Sequence, residues 1–311
     1  MPGYVVAIIL LAALLHAGWN ALVKAGKDAF LTSVLVASGA ALISLAALPF
    51  FPAPAPASWP MLFATTVIHY FYYGLMAAAY RHGDMSLAYP LMRGSAPLLV
   101  ALASAPLLGE QLTAMQFGAV ACISGGIFSM ALAHRRAAPV GRTAARRPGG
   151  AAAVGDTAQA GAALTPPSPQ RPGRAVLYAL LNAGAIACYT LVDGVGARHS
   201  GSPVAYTMWL FVFTAAGLLA WTLLRRRAQF AAYAAAHWRV TALGGAGTLG
   251  SYAMSLWAMT MAPVAAVAAL RETAILFAAA IAVFFLGEKI SPQRYAAIAL
   301  IAGGAALMRY A

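Results

Sequence analysis

The sequence predicts an all-α integral membrane protein: ten transmembrane helices in two inverted five-helix repeats. Three observations predict it. Hydrophobic residues fill 62% of the 311 positions and charged residues only 9%, against roughly 25% charged in a soluble domain. Apolar runs of about 20 residues, the length that carries one helix across a bilayer, recur between Pro, Gly and charged positions. The third observation is a repeat. RGSAPLLVALASAPLLGE at Arg93–Glu110 returns as RETAILFAAAIAVFFLGE at Arg271–Glu288, and one gapless shift lays 83–130 on 261–308. That register also matches Ala88 with Ala266, Gly125-Gly126 with Gly303-Gly304, and Met130 with Met308.

In lipid a spanning segment must satisfy its own backbone polar groups, so the runs are helices; the alternating pattern of barrel strands is absent. The first run follows no basic region, and Lys24 and Lys27 come after it, the charge order of a retained helix rather than a cleaved signal. Spans are expected at 3–23, 29–51, 60–80, 86–108 and 113–133, then at 175–196, 203–224, 240–260, 264–286 and 292–308. Between the two sets, residues 134–174 scatter seven arginines among Ala, Gly, Pro, Ser and Thr and read as a flexible, solvated linker. The organisation is therefore a first repeat at 1–133, a linker at 134–174 and a second repeat at 175–311.

Five spans per copy force the second copy to enter from the opposite face. The result is a pseudo-two-fold axis in the membrane plane, with a candidate binding site near the midplane between the copies. Pro90, Pro97, Pro106 and Pro263 are placed to bend helices four and eight to nine.

A net charge of +13 raises nucleic-acid binding, but the basic residues sit in loops and no aromatic-interleaved basic domain exists. Topology accounts for them. With both termini outside, sixteen of the 20 basic residues fall in inner loops, Arg198 and Arg309 lie outside, and Arg93 and Arg271 lie in helices. Cys122 and Cys188 both fall in apolar runs, which suits small packing residues and argues for neither a disulfide framework nor a metal cluster. No cofactor is implied, and the absence of a GxxxxGK[ST] loop excludes ATP hydrolysis by the chain itself.

The two five-helix halves, the opening HAGWNALVK at His16–Lys24, and the paired LLGEQLTAMQFGAVACISGG and FLGEKISPQRYAAIALIAGG resemble the drug/metabolite transporter superfamily, in its EamA-like ten-helix branch. The resemblance implies secondary transport of small metabolites, often export of amino acids or related compounds, through a cavity between the halves. It also implies a basic loop between helices two and three and cytoplasmic termini. Here that loop is PFFPAPAPASWP, without charge, so the charge count is followed instead.

Charges at membrane depth are costly, about 2.5 to 3.5 kcal/mol for Arg on insertion scales, and face a cavity or a partner. Arg93 and Arg271 are the first substrate-binding candidates, as bidentate holders of a carboxylate or phosphoryl oxygen; the structural alternative is satisfaction of helix-end carbonyls or a buried acid. Glu272 and Asp193 are the coupling candidates. Glu272 points about 100° from Arg271 on a helix, so its alternative is a fixed ion pair with Arg93 or Lys24. Asp193 is read as reaching Arg271 or a coupling cation, or as lying at the outer boundary near Arg198.

His16 and Asn20 share a helix face, as do His69 and Tyr73. With Trp19, Tyr252 and Trp257 they complete the substrate-binding set, the alternatives being helix packing and an interface belt. Glu110 and Glu288 read as turn residues, followed by Thr113 and Ser291 as helix caps. Gly125-Gly126 and Gly303-Gly304 allow close helix approach.

The expected protein is a bacterial inner-membrane secondary transporter of a small polar or anionic metabolite, outward-directed and proton-coupled. Its partners are the small-molecule substrate and membrane lipid, with a homodimer allowed and nucleic acid excluded. Alternatives are a lipid-linked sugar flippase, an intramembrane enzyme and a non-transporting sensor; no motif has the spacing an enzyme needs.

Overall fold

Backbone groups that find no water in the bilayer pair along their own helix, and the computed structural model bears this out over the residues it describes, 1–26, 28–83, 85–137, 172–286 and 291–310. The helices are α1 (Gly3–Ala25), α2 (Ala29–Ala47), α3 (Trp59–His82), α4 (Met85–Leu108), α5 (Ala114–Ala137), α6 (Pro172–His199), α7 (Pro203–Ala236), α8 (Trp238–Met261), α9 (Val264–Arg271), α10 (Ala274–Leu286) and α11 (Pro292–Tyr310). Among the described residues, seven segments are long and apolar enough to span a membrane, one of them running Val264–Phe284 through α9 and α10. Helix α5 has a shorter apolar stretch at Ala114–Met130. With α8 and α11, whose apolar residues are diluted by small and polar ones, these make the ten. Most of the linker and Glu288 fall outside the described residues.

Packing repeats under exchange of the halves. Helix α3 lies on α6 as α8 lies on α1, α4 lies on α6 as α9 and α10 lie on α1, and α2 with α7, α4 with α9 and α5 with α11 sit across the axis. The α5–α11 contact shows this at atomic detail. A Cβ on Gly126 would meet Ile301 at 2.5 Å and the Ala297 carbonyl at 3.0 Å, while one on Gly304 would meet Ile123 at 2.8 Å and the Ala119 carbonyl at 2.9 Å. Ala119 and Ile123 are the repeat counterparts of Ala297 and Ile301. The neighbouring Gly125 and Gly303 have no such close contact. Cys122 and Cys188 are free thiols, and Cys188 is exposed rather than packed.

Tyr4 at the start of α1 stands 6.4 Å from Trp257 near the end of α8. The Ala55 N–H donates to the Ser200 carbonyl, and Arg198 donates to the carbonyls of Met259 and Ala262. Gly118 lies beside Leu307 and Gly125 beside Leu300, so α5 and α11 run antiparallel. The start of α1, the end of α11 and the α6–α7 and α8–α9 turns therefore share one face, here the Ser200 face. The arginines around position 226 lie on the other.

Two elements depart from expectation. Helix α7 does not stop at 224 but continues to Ala236 through Arg226, whose φ of −144° and ψ of 31° are not helical. Arg226 leaves the helix path to pair with Asp28 at 3.7 Å and to lie over the Phe30 ring. Asp28 in turn caps α2 through the Leu31 N–H, and Tyr233, beyond the bend, meets the Thr32 hydroxyl at 2.8 Å. The second departure is the ninth span, broken at Glu272-Thr273. There the N–H groups of Glu272, Thr273, Ile275 and Leu276 bond to carbonyls three residues back, and the Thr273 hydroxyl takes the Leu270 carbonyl, a tightened turn of 3₁₀ type. Its counterpart α4 stays helical despite Pro90, Pro97 and Pro106.

Candidate functional site

At 1.5 Å per residue, Arg271 lies about 10 Å along α9 from the Ser200 face, and Arg93 about 12 Å along α4 from the opposite face. Both reach the middle of the protein. Arg93 spends its fork on Glu272, Nη2 to Oε1 at 2.9 Å and Nε to Oε2 at 3.1 Å, with both side chains largely buried. This bidentate geometry is the strongest an arginine makes with a carboxylate, and it gives Glu272 the fixed partner that was the alternative to a coupling role.

The copies differ where this pair forms. Position 94, equivalent to 272, is Gly94, and a Cβ there would meet the Phe128 ring at 2.8 Å. The second copy carries Ala306 at the position equivalent to Phe128.

Arg271 behaves differently. Among the described residues it enters none of the three ion pairs, which join Arg93 to Glu272, Arg198 to Glu110 and Arg226 to Asp28. Its guanidinium instead lies over the Tyr252 ring, 5.0 Å from the centroid. The Tyr252 hydroxyl donates to Asp193 Oδ2, and Tyr206 donates to Asp193 Oδ1 at 3.1 Å. Asp193 is fully buried. It sits neither at a water boundary nor beside Arg198, whose guanidinium pairs with Glu110 instead.

The remaining candidates divide into two groups. His16 is edge-on to Trp19, ring centroids 5.2 Å apart, and within electrostatic range of Arg93 and Arg271. Asn20 is buried, and its Oδ1 and the Trp19 Nε1 have no hydrogen-bond partner among the described residues. His69 donates from Nδ1 to the Thr65 carbonyl at 2.8 Å and stacks on Tyr189 at 4.4 Å. Tyr73 stands edge-on to Tyr72, which is edge-on to Tyr189. Trp257, by contrast, packs with Tyr4 toward the Ser200 face, a belt position.

Tyr72, Tyr189 and Tyr206 were not singled out from the sequence. Tyr189 is four residues before Asp193 and Tyr72 three after His69, so following each polar face by one turn finds both. Tyr206 gives no such signal, because its contact crosses from another helix.

The two turn motifs carry structure. The Glu110 carboxylate accepts the Val264 N–H at 2.9 and 3.1 Å, capping α9 from the other half, and also holds Arg198. Thr113 and Gln116 form a reciprocal capping box at the start of α5, and Ser291 caps α11 through the Arg294 N–H.

A span broken beside an arginine at mid-depth, facing an inverted copy of itself, resembles the discontinuous helices of secondary transporters. Residues 173–310 match the EamA-like transporter family. That match covers the second half of the chain. A solved structure titled only as the crystal structure of a protein aligns with a TM-score of 0.69 at 18% identity, covering 99% of this chain and 96% of that one. That likeness shows a shared fold across both halves of the chain. No curated protein matches it. The second half of the protein is thus similar to transporters of that family, and the apolar helices are those of a multi-pass membrane protein.

Proposed function

We propose that this EamA-like transporter carries a small metabolite bearing a carboxylate, such as an amino acid or related compound, by alternating access. Transport is outward across the bacterial inner membrane and proton-coupled, with both termini periplasmic, as the excess of basic residues on the face opposite Ser200 supports. The observation that carries the reading is the contrast between the two arginines. Arg93 is neutralised by Glu272, whereas Arg271 has an aromatic ring beneath it and enters no ion pair among the described residues. A cation left this way at mid-depth gains most from an anion that arrives and leaves. His16, His69, Tyr72 and Tyr189 supply the polar aromatic surroundings for the rest of the substrate.

The test is a metabolite screen by thermal shift on the purified protein, repeated with Arg271→Gln. A ligand at a hundredfold excess over its Kd stabilises by about 2.7 kcal/mol. Carboxylate hits that stabilise wild type and leave Arg271→Gln unmoved support the site; hits of equal effect on both refute it.

A further inference from the structure

Among the described residues, Asp193 is the one buried acid at the core that enters no ion pair. Its relative exposure is zero, and none of the three ion pairs among the described residues includes it. Its neighbours come from four helices: Thr65 and His69 on α3, Tyr189 one turn earlier on α6, Tyr206 on α7 and Tyr252 on α8. The flanking backbone is sealed. A Cβ on Gly194 would meet Val264 at 2.5 Å, and one on Gly196 would meet the Tyr206 ring at 2.5 Å. The buried carboxylate accepts from the Tyr206 and Tyr252 hydroxyls, groups that can relay a proton but not an ammonium group.

Charge balance then links it to Arg271 across one residue. Among the described core residues Arg93 and Glu272 cancel, which leaves Arg271 and Asp193 as the balancing charges, joined through the ring and the hydroxyl of Tyr252. An anion on Arg271 uses up that positive charge and strands Asp193 as a buried surplus, the most costly arrangement in a low dielectric. We propose that Asp193 is the proton site of the transporter, filled when a monoanionic substrate occupies Arg271, so that anion and proton cross together as an electrically neutral sum.

A zwitterion such as a neutral amino acid, already uncharged overall, brings no proton by this route, so the proton coupling proposed above belongs to substrates with a net negative charge. The membrane potential then neither drives nor opposes transport of a monoanion, and direction follows the substrate and pH gradients together. Glu272, held in both oxygens by Arg93, is released from the coupling role. The inference rests on the proposed Arg271 site only for its ligand step; the linkage between Arg271 and Asp193 is testable without a substrate.

Arg271→Gln removes the same positive charge that an anion would neutralise. Infrared titration of the full chain in proteoliposomes reads the protonated-carboxyl band. Arg271→Gln is expected to bind this proton roughly tenfold more tightly than wild type, the effect of one unit charge at an effective dielectric near 20. The band is expected to be absent from Arg271→Gln/Asp193→Asn. Tyr252→Phe, which keeps the ring beneath Arg271 but removes a donor to the carboxylate, is expected to strengthen the band and guards against misfolding of the Asn variant. An unchanged band in Arg271→Gln, or a band that survives Asp193→Asn, overturns the proposal, including the case in which His69 holds the proton. With the linkage present in the variants, a carboxylate that stabilises wild type without strengthening the band overturns the ligand step; a screen without any Arg271-dependent hit refutes the proposed substrate site alone.

Discussion

Replacing Glu110 by Ala removes a clamp that joins the halves at the Ser200 face. The carboxylate caps α9 through Val264 and pairs with Arg198, which also holds the last carbonyls of α8. Loss of the cap costs about 1 kcal/mol. Loss of the ion pair costs roughly 1 kcal/mol more, discounted because the Arg198 side chain is 31% exposed and keeps its two carbonyl partners. The expected destabilisation is thus about 2 kcal/mol. Equilibrium unfolding in mixed micelles measures it, and a double-mutant cycle with Arg198→Met isolates the pair, with a coupling of about 1 kcal/mol. A Glu110→Ala loss below about 0.5 kcal/mol, the range of an uninvolved surface site, or fully additive single losses would refute the clamp.

Glu272→Gln should destabilise by about 3 to 5 kcal/mol by leaving Arg93 buried without its acid, and Arg93→Gln added to it should restore part of that loss in the same unfolding assay. Gly304→Leu should cost roughly 1 to 3 kcal/mol, since even a Cβ meets the Ala119 carbonyl at 2.9 Å; Gly303→Leu, with nothing within 4 Å of its Cβ, should stay near wild type. Arg271→Lys should retain charge but lose most transport of a carboxylate in proteoliposomes, because an ammonium cannot form the bidentate contact. A C-terminal reporter active only in the periplasm should be active, and a cytoplasmic signal would reverse the orientation.

The spans were legible because membrane thickness fixes helix length, and the inverted arrangement because an odd number of spans repeats. Helix ends were less legible where a distant contact sets them. Nothing near Arg226 in sequence is Pro or Gly; the bend coincides with contacts to Asp28 and Phe30, about 200 residues away. The break after Arg271 hides for a similar reason, since Arg-Glu-Thr is competent in a helix and only the side-chain bond of Thr273 and the pull of Arg93 on Glu272 distinguish it. Arg93 and Arg271 stood out by their cost in lipid, but which one is satisfied depends on a pairing across 179 positions. The tyrosines around Asp193 were harder to see because aromatic residues have many uses in a membrane, and only their hydroxyl directions separate them.

The exchange of Gly94 and Phe128 in one copy for Glu272 and Ala306 in the other has a consequence for ancestry. Two identical five-helix subunits would carry either two such acids or none, so their two equivalent arginines would be answered alike. Joining the copies in one chain lifted that restriction. Changes confined to one copy can silence one arginine and leave its twin available, so the inequality on which a binding site depends is open to a fused gene and closed to a symmetric pair.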